Sequence, residues 1–187
     1  MDKILFVNAC VRENSRTLLL ANKVLNNLKG EREEVNLYKT NLSPLTEEDL
    51  KLRAVASQNN DYSNPCFDLA KQFSKADVIV VAAPYWDLSF PAVVKSYFEL
   101  ITVGGLTFVY GEDGIPRGLC KAKRLIYVTT SGGPIFNNFG YEYVTAISKS
   151  FYGIKEFKLI SAQGLDIKGA NTDLIMQQAL NSVNELL

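Results

Sequence analysis

The chain has 187 residues, 47% of them hydrophobic, and twenty basic side chains balance twenty acidic ones. That composition fills the core of one domain, excludes a disordered chain, and gives no ground for a nucleic-acid or anionic-membrane partner. No apolar run is long enough to cross a membrane or serve as a signal peptide, and Cys10, Cys66 and Cys120 are spaced for neither a disulfide framework nor zinc, so a cytoplasmic protein is expected.

Lys3 to Asn8 reads as the first strand. Ser15 to Leu28 follows as an amphipathic helix, with Leu18, Ala21, Leu25 and Leu28 on one face and Gly30 ending it. Glu34 to Tyr38 is the second strand, with Val35 and Leu37 pointing one way. Thr40 to Asn64 is the longest irregular stretch and holds a short helix, opened by Thr46 with Asp49 three residues on. Pro65 to Ser74 is a helix, and Asp77 to Ala83 a buried parallel strand, read from the run Val78-Ile79-Val80-Val81-Ala82. Pro91 to Ile101 has helical spacing at Val94, Tyr97, Phe98 and Ile101. Thr102 to Lys121 is glycine-rich and reads as a hairpin of Leu106 to Tyr110 and Ile115 to Leu119 around Asp113-Gly114. Arg124 to Thr130 is the next strand, Tyr141 to Phe151 a helix, and Glu156 to Ala162 the last strand. Asn171 to Leu187 closes the chain as a helix with Ile175, Ala179, Val183 and Leu186 inward.

This alternation is that of an α/β three-layer sandwich: a parallel sheet with helices on both faces, here as a single domain over residues 1–187. Five long strands point to the flavodoxin-like order 2-1-3-4-5, in which ligands sit at the switch point beside strands 1 and 3. The chain contains no histidine. Imidazole proton transfer, His-based triads and His-ligated metals are therefore excluded, and chemistry falls to carboxylates, hydroxyls, Lys, Cys or a cofactor.

Three strand-end loops carry distinctive residues. After the first strand, Ser15 and Thr17 offer hydroxyls at a helix amino terminus, and Arg12 and Arg16 offer forks matched to phosphate oxygens. The alternative is that Asn14 or Ser15 only caps the helix and the arginines are solvated. After the third strand, Pro84-Tyr85-Trp86-Asp87-Leu88-Ser89-Phe90-Pro91 is pinned by a proline at each end and displays flat apolar surface, which suits a planar heterocycle such as a flavin. Its alternative is core packing by Trp86 and Phe90, with Asp87 bonding its own backbone. After the fourth, Thr130-Ser131-Gly132-Gly133 permits close backbone approach to a ligand, or is an ordinary glycine turn. Cys10 is either a thiol activated by the helix terminus or a buried strand-end residue. Neither GxGxxG nor a Walker A loop is present.

Taken together, these loops resemble those of the FMN-dependent NADH azoreductases and quinone reductases of the flavodoxin-like superfamily. Ser15-Arg16-Thr17 is similar to that family's phosphate-binding triplet, Pro84 to Pro91 to its flavin loop, and Thr130-Ser131-Gly132-Gly133 to the loop at the flavin's pyrimidine side. Gly140-Tyr141-Glu142-Tyr143, Phe151-Tyr152-Gly153-Ile154, and Thr107 to Tyr110 with Gly118-Leu119 are similar as well. The resemblance implies FMN as cofactor, NADH or NADPH as donor, ping-pong two-electron reduction of quinone or azo acceptors, and a homodimer with residues from both subunits at each site. Tyr110, Phe136, Phe139 and Tyr141 are expected on the pocket's outer face or in core or interface packing. Many family members carry Met-Tyr-Asn-Phe where this chain has Tyr85-Trp86-Asp87-Leu88. An ionised Asp87 only accepts hydrogen bonds, and facing the ring it would lower the flavin potential. Two other classes remain open at this point: a flavodoxin-type electron carrier without nicotinamide activity, which usually needs a strongly acidic surface, and a flavin-binding or regulatory protein without catalysis.

Overall fold

Strand β1 (Lys3–Asn8) is buried from Ile4 to Asn8 because both of its faces are covered. The computed structural model describes residues 1–186, so the final residue of the expected last helix, Leu187, lies outside the described residues. Helix α1 (Arg16–Asn27) leads to β2 (Glu31–Asn36), α2 (Glu47–Asn59), a 3-10 turn at Pro65–Phe67, α3 (Asp68–Lys75) and β3 (Val78–Ala82). Then follow α4 (Ala92–Ile101), the short strands β4 (Phe108–Tyr110) and β5 (Pro116–Gly118), and β6 (Arg124–Thr130). Helix α5 (Phe139–Ile147) runs into a π-helical turn at Ser148–Tyr152, before β7 (Glu156–Ala162) and α6 (Thr172–Leu186).

The large sheet is parallel throughout, in the order β2-β1-β3-β6-β7. Counting only its five strands, this is the expected 2-1-3-4-5, with its switch between β1 and β3. Alternation along the strands divides the core in two. Leu5, Val7, Ile79, Val81, Leu125 and Tyr127 meet α3, α4 and α5, whereas Ile4, Phe6, Val80, Ala82, Ile126 and Val128 meet α1 and α6. Helix α4 buries its expected face, Val94, Tyr97, Phe98 and Ile101, completely. No helix among the described residues is long and apolar enough to cross a membrane.

Several local expectations need correction. Helix α1 buries Thr17, Leu20, Ala21, Val24 and Leu25, so its inner face is rotated from the expected stripe and leaves Leu18 and Leu28 half-buried. Gly30 is not a left-handed cap; the helix ends at Leu28, whose N–H returns to the Leu25 carbonyl. Gly30 serves instead as a point of close approach, because a Cβ there would lie 2.4 Å from the Asp2 carbonyl oxygen. The second strand begins three residues early, at Glu31, since pairing with β1 sets its register. On α6, Met176 is buried and Leu186 is 40% exposed, which moves the inner face off Leu186. The hairpin is present but short, three residues per strand, and Gly118 on it touches the Tyr152–Gly153 backbone so closely that a Cβ would sit 2.1 Å from the Tyr152 carbonyl carbon.

The expected short helix in the irregular stretch has thirteen residues and the full capping box, with Thr46 and Asp49 bonded reciprocally. It buries only Ala56. Its anchor is Arg53, whose guanidinium donates to the carbonyls of Glu99 (3.1 Å), Leu100 (2.9 Å) and Thr102 (3.2 Å). These are among the last carbonyls of α4, which have no intrahelical partner, and a cation there also opposes the helix dipole. Arg53→Ala is expected to lower the unfolding free energy by about 1.5–3 kcal/mol, read from urea denaturation, because charge-assisted hydrogen bonds to half-buried carbonyls are lost.

Candidate functional site

The carboxyl ends of β1, β3, β6 and β7 converge on the amino terminus of α1. Ser15 caps that helix: its Oγ accepts from the Leu18 N–H at 3.3 Å, and its carbonyl from the Leu19 N–H at 3.0 Å. The N–H groups of Arg16 and Thr17 have no partner among the described residues and sit at the positive end of the helix dipole. Thr17 is turned inward, its Oγ1 2.6 Å from Thr130 Oγ1 in a buried hydrogen bond. Its backbone N–H, not its hydroxyl, is the group available to a ligand.

The loop after β3 is held to its neighbours by backbone. The Tyr85 N–H donates to the Thr130 carbonyl (3.0 Å), and Tyr85 Oη donates to the Asn137 carbonyl (2.8 Å). Trp86 and Ser89 exchange two backbone hydrogen bonds, 3.1 and 2.8 Å, around a two-residue turn. The turn residues Asp87 and Leu88 have φ of 49° and 67°. Such a turn suits Asn-Gly, and a branched residue there carries about 1 kcal/mol of strain or more. Trp86 is 40% exposed, so it is neither core nor fully solvated.

The loop after β6 is closed from below. Ser131 N–H donates to the Ala162 carbonyl at 3.0 Å, and Ser131 Oγ to the Gly133 carbonyl at 2.6 Å. The loop after β7 pairs with it through the N–H groups of Gly164, Leu165 and Asp166, bonded to the carbonyls of Gly133, Ser131 and Gly132. Asp166 Oδ1 also receives Arg16 Nη2 at 2.8 Å, and Arg16 Nη1 donates to the Leu165 carbonyl at 3.2 Å.

These loops enclose a cleft of about 200 Å³. Arg12, Ser15, Arg16 and Thr17 line one side, Pro84, Tyr85 and Trp86 another, and Thr130, Ser131 and Gly132 the floor. Asp87 and Leu88, on the exposed turn, and the exposed Gly133 are not among the lining residues. Asp166 lines it, and the three-loop reading missed it. The strand-end rule applied to the last strand, with Gly164 as the turn, would have found it. Tyr110, Phe136 and Phe139 are 63%, 84% and 50% exposed, and Tyr141 packs near Tyr127; none lines the cleft. A larger hollow of about 420 Å³ lies among Lys3, Glu31, Glu33, Lys71 and Lys75 at the opposite, amino edge of the sheet. Open parallel sheets bind ligands at the carboxyl edge, and only the smaller cleft joins unpaired helix N–H groups to cationic forks, so it is the candidate site.

Cys10 is buried at the end of β1, and that burial pushes its thiol up to about 11, more than a hydrogen bond from Ser15 lowers it. It is a strand-end residue and not an activated thiol. Burial likewise raises Cys120 to about 12, and Cys66 is the exposed one.

A doubly wound parallel sheet whose strand-end loops gather on one helix amino terminus defines the class of α/β proteins that hold a ligand at the switch point. The chain belongs to the flavodoxin-like fold family, which matches residues 2–187. It is 36% identical to the FMN-dependent NADH:quinone oxidoreductase of Coprothermobacter proteolyticus, over 100% of this chain and 98% of that protein. It is 32% identical to FMN-dependent NADH:quinone oxidoreductase 2 of Clostridium acetobutylicum, over 99% of this chain and 98% of that protein. Among solved structures, an FMN-dependent NADH-azoreductase from Bacillus anthracis in complex with FMN shares the fold, with TM-score 0.80 and 22% identity over 99% of this chain and 97% of that one.

Two outcomes are expected from this geometry. Leu88→Gly raises the unfolding free energy by about 1 kcal/mol in thermal or urea denaturation, because it releases left-handed strain at an exposed position. Alkylation at pH 8 under native conditions labels Cys66 first, and Cys10 and Cys120 react only on unfolding, as mass spectrometry of the labelled peptides would read.

Proposed function

We propose that this chain is an FMN-dependent NADH:quinone oxidoreductase that acts as a cytoplasmic homodimer of single-domain subunits. The observation that carries the reading is the convergence, in one cleft, of two unpaired helix N–H groups, two guanidinium groups and the exposed face of Trp86. That donor set fits a ligand with an anionic end and a flat apolar body. The names of the full-length relatives support FMN, NADH and a quinone as cofactor, donor and acceptor class.

In this reading the N–H groups of Arg16 and Thr17, with Arg12, hold the phosphate. Pro84, Tyr85 and Trp86 flank the ring, and Thr130, Ser131 and Gly132 form the floor on which it rests. When bound, FMN supplies the acceptance of two electrons from NADH and their delivery to the acceptor. The residues around it orient and shield; a chain without histidine can carry this chemistry because the reactive atom belongs to the cofactor. Asp87 stands on the exposed turn, outside the cleft lining, where its charge acts weakly on the ring. Azo compounds are a second acceptor class, and NADPH a second donor, for the same cleft.

The test is the visible absorbance of purified protein after incubation with FMN and removal of unbound flavin, followed by anaerobic NADH. A retained band that NADH bleaches, with turnover of a soluble quinone, is the expected result. A retained band that resists NADH and NADPH would point to an electron carrier, and no retained band would overturn the reading. Arg12→Ala is expected to weaken FMN about tenfold, the scale of one charge-assisted contact, and to leave riboflavin unchanged. An equal loss for both flavins, by fluorescence titration, would remove Arg12 from the phosphate end.

A further inference from the structure

Among the described residues, Asp166 is the one acidic side chain lining the cleft. It is held there on two sides. Its backbone N–H is fixed to the Gly132 carbonyl at 2.9 Å, and its Oδ1 receives Arg16 Nη2 at 2.8 Å. Its other oxygen lies against Gly132 so closely that a Cβ on that glycine would be 2.4 Å from Oδ2. The carboxylate thus bridges the loops after β1 and β6. It neutralises one of the two guanidinium groups on which an anion in this cleft would draw, and Arg16 gives its remaining fork to the Leu165 carbonyl at 3.2 Å. With Arg12 and Arg16 as cations and Asp166 as anion, the lining side chains carry one net positive charge in place of two.

We propose that Asp166 is a specificity-determining residue of this cleft: a tethered carboxylate that competes with a phosphate monoester for Arg16 and so sets how strongly the site prefers a phosphorylated ligand over its neutral counterpart. The proposal rests on the FMN reading above. Physically, two anions cannot both draw fully on one guanidinium. The intramolecular one is always present at high effective concentration, so a phosphate gains only what Arg16 offers beyond its pair with Asp166. Arg16 and Asp166 are partly exposed, with side-chain exposures of 34% and 65%, so the competition is moderate and salt-sensitive.

The experiment is a parallel titration of wild-type and Asp166→Asn protein with FMN and with riboflavin, at low and high sodium chloride, followed by flavin fluorescence. Asn keeps the shape and removes the charge. The expected result is FMN binding about three- to fivefold tighter in the variant, the scale of one partly exposed ion pair, with riboflavin unchanged and the gain shrinking at high salt. Asp166→Ala is expected to behave in the same way, which separates loss of charge from any new amide contact. FMN affinity that falls in both variants while riboflavin holds would overturn the proposal, because Asp166 would then position Arg16 for the phosphate and not compete with it. Equal changes for both flavins would also overturn it. Wild-type protein that binds the two flavins equally would instead overturn the placement of the phosphate at α1, on which the proposal stands.

Discussion

The 2.6 Å hydrogen bond between Thr17 and Thr130 is the contact on which the cleft depends. It is buried, and it joins the first turn of α1 to the last residue of β6. An orphaned hydroxyl in such a place costs about 1–3 kcal/mol. Because it crosses from one loop to another, the bond fixes where the helix amino terminus points relative to the floor formed by Ser131 and Gly132. The Tyr85 N–H reads the same residue, Thr130, through its carbonyl. One position at the end of one strand therefore indexes the loops after β1, β3 and β6.

Rigidity at the rim is obtained differently. The Asp87–Leu88 turn holds two non-glycine residues in the left-handed region, and the strain persists because backbone hydrogen bonds flank it. Trp86 pairs with Ser89, and the Phe139 N–H donates to the Leu88 carbonyl at 3.1 Å. The turn ties the wall of the cleft to the start of α5 and keeps the Trp86 side chain at the surface.

The sheet was legible because its strands are short apolar runs with a fixed period, and Arg124–Thr130 and Glu156–Ala162 match their expected bounds. Loop positions followed from strand ends, so ten of the thirteen residues expected at the site line one cleft. What was not legible depended on tertiary context. Leu18 and Leu28 fit a helical stripe as well as Leu20 and Val24 do, and only packing against β6 and α6 chooses between them. Gly30 carries the residue type of a cap, yet its use is a contact with Asp2, 28 residues earlier in the chain. Asp166 is an ordinary aspartate after a strand, and its importance comes from Arg16, 150 residues away in sequence. Left-handed φ at Leu88 carries no signature, because leucine rarely adopts it, and without a glycine at that position the Asp87 before it does not read as a tight turn.

Helix α2 is attached through its partner's end and not through a core of its own. Ala56 is its one buried side chain, Arg53 grips the carboxyl end of α4, and beyond it Tyr62 Oη donates to the Gly104 carbonyl at 2.9 Å. A helix with one buried side chain contributes little apolar burial to the domain, and its attachment rests mainly on hydrogen bonds to α4 and the segment after it. It is also a place where sequence can drift, since most of its positions face solvent and only a few, among them Leu52, Arg53, Ala56 and Tyr62, pack or bond against the rest of the molecule. The insertion between β2 and β3 is thus where this fold could acquire new surface without disturbing the geometry at the opposite end of the strands.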